Sequence, residues 1–257
     1  MNNKTFFFNV IFGFYYMLSC HELMCWNLGL FNEVPNHQQI GQEVTERIRQ
    51  GGNLNDNMEF TSLIDPRPPL FGVLISDQNN EVLKDLLACN VDIAKPWRGW
   101  SALCVTAKAG AHKNLAILLD HIKQIHQNPK ELIDTHMSGV FRTTALHHAA
   151  ERCSCCVEKL LQCGADPNAK DEYNVTPLET AIKDHAKCRW NHDFSDDWEP
   201  TNDILRILRL LKTAGADFSR LNIIVSDEDE QLSQFPGKSE IRKNFSEMIE
   251  TFKRENT

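Results

Sequence analysis

Between Arg142 and Asp171 the apolar and polar positions predict two short helices followed by a turn. Thr144-Ala145-Leu146-His147 opens the first helix, and Ala149 and Ala150 leave it a face that permits close backbone approach. Val157, Leu160 and Leu161 share one face of the second at helical spacing. Gly164 stands where a helix ends in a left-handed residue, and Asp166-Pro167-Asn168 continues as a turn. Helices this short cannot bury their apolar faces on each other alone. The unit must therefore stack on others of its kind.

The same order of positions returns along the chain. Pro68-Pro69-Leu70-Phe71 opens a unit whose second helix carries Val82, Leu83, Leu86 and Leu87, and which closes at Asn90-Val91-Asp92. Asn90 takes the glycine slot there, a conformation Asn tolerates better than most residues. Another unit opens at Gly99-Trp100-Ser101-Ala102-Leu103, with Leu115, Ile117, Leu118 and Leu119 in its second helix. A fourth opens at Asn174-Val175-Thr176-Pro177-Leu178, resumes at Ile204, Leu205, Leu208 and Leu211, and closes at Gly215-Ala216-Asp217. Upstream, Ile40, Val44 and Ile48 lie four apart before Gly51-Gly52, which predicts the second half of a degenerate first unit.

Leu70 and Leu103 are 33 residues apart, Leu103 and Leu146 are 43 apart, and Leu146 and Leu178 are 32 apart. The longer interval places an insertion near residues 126–135, where Pro129 stops any continuing helix. Asp166 and Asp217 are 51 apart, which places a second insertion at 187–202. The openings at Thr144 to Ala149 and Thr176 to Leu178 resemble the ankyrin repeat, whose signature is threonine-proline-leucine-histidine-x-alanine at a period of about 33 residues. The histidine survives only as His147, and Phe71, Cys104 and Glu179 replace it elsewhere.

This resemblance implies an all-α solenoid over residues 37–220, with about four helix-turn-helix repeats and a degenerate N-terminal one. It gives His147 a structural hydrogen bond at its turn. It also implies a monomeric, non-catalytic scaffold that binds a protein partner through its concave face and the turn tips between repeats. A host-directed effector is one setting in which such scaffolds occur.

Two segments lie outside the repeats. Residues 221–257 hold the acidic linker Ser226 to Glu230, then Ile241, Phe245, Met248, Ile249 and Phe252 at amphipathic spacing, expected to cap the last repeat. Residues 1–25 carry an apolar run behind Lys4, of signal-peptide length but too short and interrupted for a membrane span. Leu18 makes a poor cleavage position. Besides an export signal or anchor, a start at Met17 or Met24, or a helix docked on the first repeat, fits the same run. A cytoplasmic location is expected unless this segment exports or anchors the chain, and a membrane is a partner only in the latter case.

The net charge of −8 excludes the broad basic footprint of nucleic-acid binding. Nine cysteines, an odd number, fit free thiols in a reducing compartment. Cys153, Cys155 and Cys156 could meet His185, Cys188 and His192 around zinc, but the spacing does not form paired zinc knuckles, so no metal and no cofactor is expected. The alternative to a scaffold is an enzyme built on Cys153 or Cys156 with His147 or His148.

The remaining candidates are aromatic. Trp97 and Trp100 flank Gly99 at a turn tip. Trp190, Phe194 and Trp198 recur every four residues in an insertion that also holds Asp193, Asp196, Asp197 and Glu199. Aromatic anchors ringed by acids suit a protein partner with a basic patch, although the same rings could instead pin the insertion to the stack.

Overall fold

The computed structural model describes residues 36–61, 63, 65–125, 128–137, 142–151, 153–188 and 202–219, with Glu247, Glu250, Phe252 and Arg254; of 184–188 and 202 it describes the backbone only. The described helices are α1 (His37–Arg49), α2 (Pro69–Val73), α3 (Asn80–Ala88), α4 (Ala102–Ala109), α5 (His112–Ile125), α6 (Pro129–Ile133), α7 (Ala145–Ala150), α8 (Ser154–Gln162), α9 (Pro177–Cys188) and α10 (Asn202–Thr213).

They form two rows. In the inner row α2 packs on α4, α4 on α7 and α7 on α9; in the outer row α1, α3, α5, α8 and α10 follow one another in the same way. Each inner helix also packs on the outer helix of its own repeat. Leu70, Leu103, Leu146 and Leu178 occupy equivalent positions at the start of successive inner helices, and each is buried. The core is therefore continuous from Ile40 and Val44 of α1 to Ile207, Leu208 and Leu211 of α10.

Local chemistry starts and stops these helices. Ser101 Oγ accepts the Cys104 N–H at 3.1 Å, and Thr176 Oγ1 accepts that of Glu179 at 3.3 Å, each satisfying a first-turn donor. Pro69 and Pro177 sit at helix starts, where a missing N–H costs nothing. Gly51, Asn90, Gly164 and Gly215 each follow an outer helix with positive φ, the backbone that ends such helices, so Asn90 fills the glycine slot as predicted. Gly72 has a different reason. A Cβ there would meet the Phe60 ring at 2.6 Å, so the ring packs against bare backbone of α2.

Neighbouring repeats also hold each other through polar groups. Asp77 accepts the N–H groups of Lys113 and Asn114 at the start of α5, and the buried Asn114 amide donates to Val73 O and Ser76 O at 3.0 and 2.9 Å. In the closing turns, Asn55 accepts the Asp92 N–H at 2.8 Å, Asp134 that of Asp166 at 3.0 Å, and Asn168 that of Asp217 at 2.7 Å.

The insertion near 126–135 is more ordered than a loop. Pro129 does end the reach of α5, but it also sits in the first turn of α6. Ile133 is buried and Asp134 joins the closing-turn series, so the end of the insertion re-enters the repeat. At the C-terminal end Phe252 is helical and buried, and its ring stacks on Phe218 at 5.6 Å with Lys212 Nζ 6.0 Å from its centroid. Most of the predicted capping helix, the acidic linker and residues 1–25 lie outside the described residues. Among the described residues no helix is long and apolar enough to cross a membrane.

Candidate functional site

Short hairpins lead into the inner helices. Met58 pairs with Arg67, and Trp97 with Trp100 through hydrogen bonds of 3.0 and 2.9 Å; Met137 N–H donates to Thr143 O, and Asp171 N–H to Val175 O. Arg98 and Gly99 make the two-residue turn of the second hairpin, both with positive φ.

This pairing corrects the expectation that Trp97 and Trp100 are surface anchors. Only 5% and 3% of their surfaces are exposed. Directly opposed residues of a bridge project to the same face, and here that face looks into the stack. Trp97 lies 5.8 Å from Phe71, with the Arg67 guanidinium 4.8 Å and that of Arg98 5.2 Å from its ring centroid. Trp100 stacks on His148 of the next repeat at 5.1 Å. Both rings are anchors of the fold. What the tip presents outward is Arg98, ion-paired to Asp65 of the preceding hairpin at 3.2 Å. Trp190, Phe194, Asp197 and Trp198 lie outside the described residues.

The exposed aromatic is a residue the sequence pattern did not single out. Tyr173 is 60% exposed at the tip of the fourth hairpin. One oxygen of Asp171 accepts the N–H groups of Tyr173 and Val175, both at 2.8 Å, and Asn174 completes the turn at φ 58. The signal was present as Asp171-Glu172-Tyr173-Asn174, an Asx-type turn that leaves its third residue outermost.

Two buried polar groups cross the repeat seams. His147 Nδ1 accepts the Thr144 N–H at 3.2 Å, so Nε2 carries the proton and donates to Val175 O at 3.0 Å. Burial holds this imidazole neutral, with its pKa lowered to about 4. His148 meets Glu151 Oε1 at 3.3 Å through Nδ1 and Thr143 Oγ1 at 3.0 Å through Nε2, and Glu151 also binds Lys108 from α4. Burial alone would raise the Glu151 carboxyl. The Lys108 ammonium and the His148 ring outweigh it and hold that carboxyl below the usual range.

Both ring nitrogens of His147 and His148 thus face partners other than a cysteine among the described residues. Of the candidate zinc set, the side chains of His185 and Cys188, and all of His192, lie outside the described residues. Among the described residues no three His, Cys, Asp or Glu side chains converge as a metal site. Cys89, Cys104, Cys153, Cys155, Cys156 and Cys163 are free thiols. Cys153 and Cys156 are three apart and form a C-x-x-C pair. Cys153 caps α8, its Sγ accepting the Cys156 N–H at 3.3 Å, and the two sulfurs are 2.9 Å apart.

Comparison with known proteins agrees with this architecture. A family model described as ankyrin repeats (3 copies) matches residues 71–171. The matched span runs from α2 to the turn beyond α8 and holds three helix pairs, while α1 and the α9–α10 pair extend the same stacking on either side. No curated protein matches the chain. With the repeat match and the two-row stack in agreement, residues 71–171 are ankyrin repeats and the fold is an all-α ankyrin solenoid.

Proposed function

We propose that the chain is a non-catalytic scaffold that engages a protein partner through its hairpin tips and the insertion at 187–202. Ankyrin repeats generally mediate protein–protein interaction, and the family is typically non-catalytic. The observation that carries the reading is Tyr173, a large exposed aromatic on a turn already held by Asp171. Aromatic residues dominate binding hot spots, and a turn that is already ordered loses little entropy on binding.

The insertion belongs to the same repeat as Tyr173 and adds Trp190, Phe194 and Trp198 amid Asp193, Asp196, Asp197 and Glu199. That composition favours a partner with a basic, partly apolar patch, and opposite charge would speed association. The effector setting adds only delivery into a host cell to this role, and a translocation reporter on the full chain tests it.

The binding role is tested by capturing proteins with the full chain and titrating each capture against variants. Tyr173→Ala, and Trp190→Ala with Trp198→Ala, should each weaken the interaction by about 2 kcal/mol or more while the melting temperature stays unchanged. A partner bound equally well by both variants would remove the tip and the insertion from the interface. Equal affinity with a lower melting temperature would assign the insertion's rings to packing on the stack.

A further inference from the structure

Cys153 and Cys156 bracket the first turn of α8, a nine-residue helix. Their exposure is unequal: Cys153 is half-buried and Cys156 is fully buried. Their sulfurs lie 2.9 Å apart, and the outer sulfur also accepts the inner residue's N–H. A half-buried cysteine at a helix N-terminus, with a second sulfur in contact with its own, is the arrangement in which a thiolate is stabilised and a disulfide can be resolved.

We propose that Cys153 and Cys156 form a reversible dithiol–disulfide site that reacts with low-molecular-weight disulfides, Cys153 attacking and Cys156 resolving. In the first step the Cys153 thiolate attacks one sulfur of the small disulfide. A mixed disulfide forms, the small S–S bond breaks, and the leaving thiolate takes a proton. In the second step Cys156 loses its proton to solvent and attacks Cys153 Sγ. The Cys153–Cys156 bond forms and the second small thiol leaves. Two protein thiols are oxidised and one small disulfide is reduced to two thiols, so the electrons balance without another reactant.

The polarity of the pair supports these roles. The side-chain hydrogen bond shared with Cys156 pulls the Cys153 thiol down to about 7 against the opposing push of partial burial, whereas the same bond and burial raise Cys156, which holds its proton more firmly than an ordinary thiol. The Cys155 sulfur accepts from Arg206 Nη1 of α10 at 3.7 Å. The pair also sits on a repeat seam. Ser154, between the two cysteines, donates its N–H and hydroxyl to Asp203 of α10.

The test uses the full chain, fully reduced and then equilibrated with oxidised and reduced glutathione. Free thiols are alkylated with one reagent and thiols released by later reduction with another, and both are located by mass spectrometry. Wild type and Cys155→Ser should each gain an intramolecular disulfide between 153 and 156. Cys156→Ser should instead stop with one glutathione on Cys153, and Cys153→Ser should do neither at this site. Retention of both thiols in the wild type under oxidising glutathione ratios would overturn the proposal, as would a pair that includes Cys155. Thermal unfolding of the serine variants checks that they fold. If one does not, the mapping on the wild type and Cys155→Ser decides the question alone.

Discussion

After Leu70 the first full repeat places Phe71, and after Leu146 the third places His147, at the same point in an inner helix. Both residues are buried. His147 is used for its hydrogen bonds, which tie the turn at Thr144 to Val175 in the next hairpin. Phe71 has no polar atom to offer, and at this position its repeat meets the next by ring packing: Phe71 against Trp97, and Trp97 beneath Arg67 and Arg98. One position thus closes a repeat seam by either directional or non-directional forces. The polar version depends on protonation state. The apolar one depends on volume.

The largest expected effect attacks the apolar seam. Trp97→Ala removes a buried ring and leaves a cavity between two hairpins, which should cost about 3–5 kcal/mol in urea unfolding. A shift below about 1 kcal/mol, the range of surface substitutions, would mean that Trp97 is not the anchor its burial indicates.

Acid should attack the polar seam. The folded-state pKa of His147 is lowered from 6.5 to about 4, so between these values the unfolded chain binds more protons than the folded one. Its contribution is therefore fully present above pH 6.5 and is lost as pH falls toward 4, on the order of 3 kcal/mol across the window. Burial lowers the His148 pKa as well, so that ring adds in the same direction, and Glu151 adds a further loss below 4.5. Urea midpoints measured from pH 7.5 to 4 should fall, and His147→Phe should flatten the slope while lowering stability at pH 7.5. An unchanged slope in that variant would assign the acid sensitivity elsewhere.

The smallest effect concerns the outer surface of the apolar seam. Arg98→Ala removes a partly exposed ion pair to Asp65 and should cost less than about 1 kcal/mol. A loss comparable to that of Trp97→Ala would show that the guanidinium stacked on the indole, rather than the indole itself, holds the hairpins together.

Much of the fold could be read from local pattern. The spacing of Leu70, Leu103, Leu146 and Leu178, and the left-handed slot at Asn90, Gly164 and Gly215, each depend on a few neighbouring residues. The site was less legible. Trp97 and Trp100 looked like surface anchors because tryptophan beside a turn is common in interfaces, and only the bridge between them decides which way both rings face. Tyr173 is legible only through its turn: Asp171-Glu172-Tyr173-Asn174 marks the tip, while the tyrosine alone does not mark exposure. The C-x-x-C pair stood in the sequence, but its unequal exposure did not.

The sequence by itself determined the order of the described helix pairs, because periodicity, helix caps and turn residues act over a few positions. It also places insertions in the two intervals longer than the period, near 126–135 and at 187–202. Only the tertiary structure decided which aromatics are core and which are surface, how Ile133 and Asp134 bring the first insertion back into the stack, and the burial that holds His147 neutral. Those properties arise between repeats. Burial and hydrogen bonding there are set by the neighbouring repeat's backbone and side chains, such as Val175 O against His147 and His148 against Trp100, which no local pattern contains.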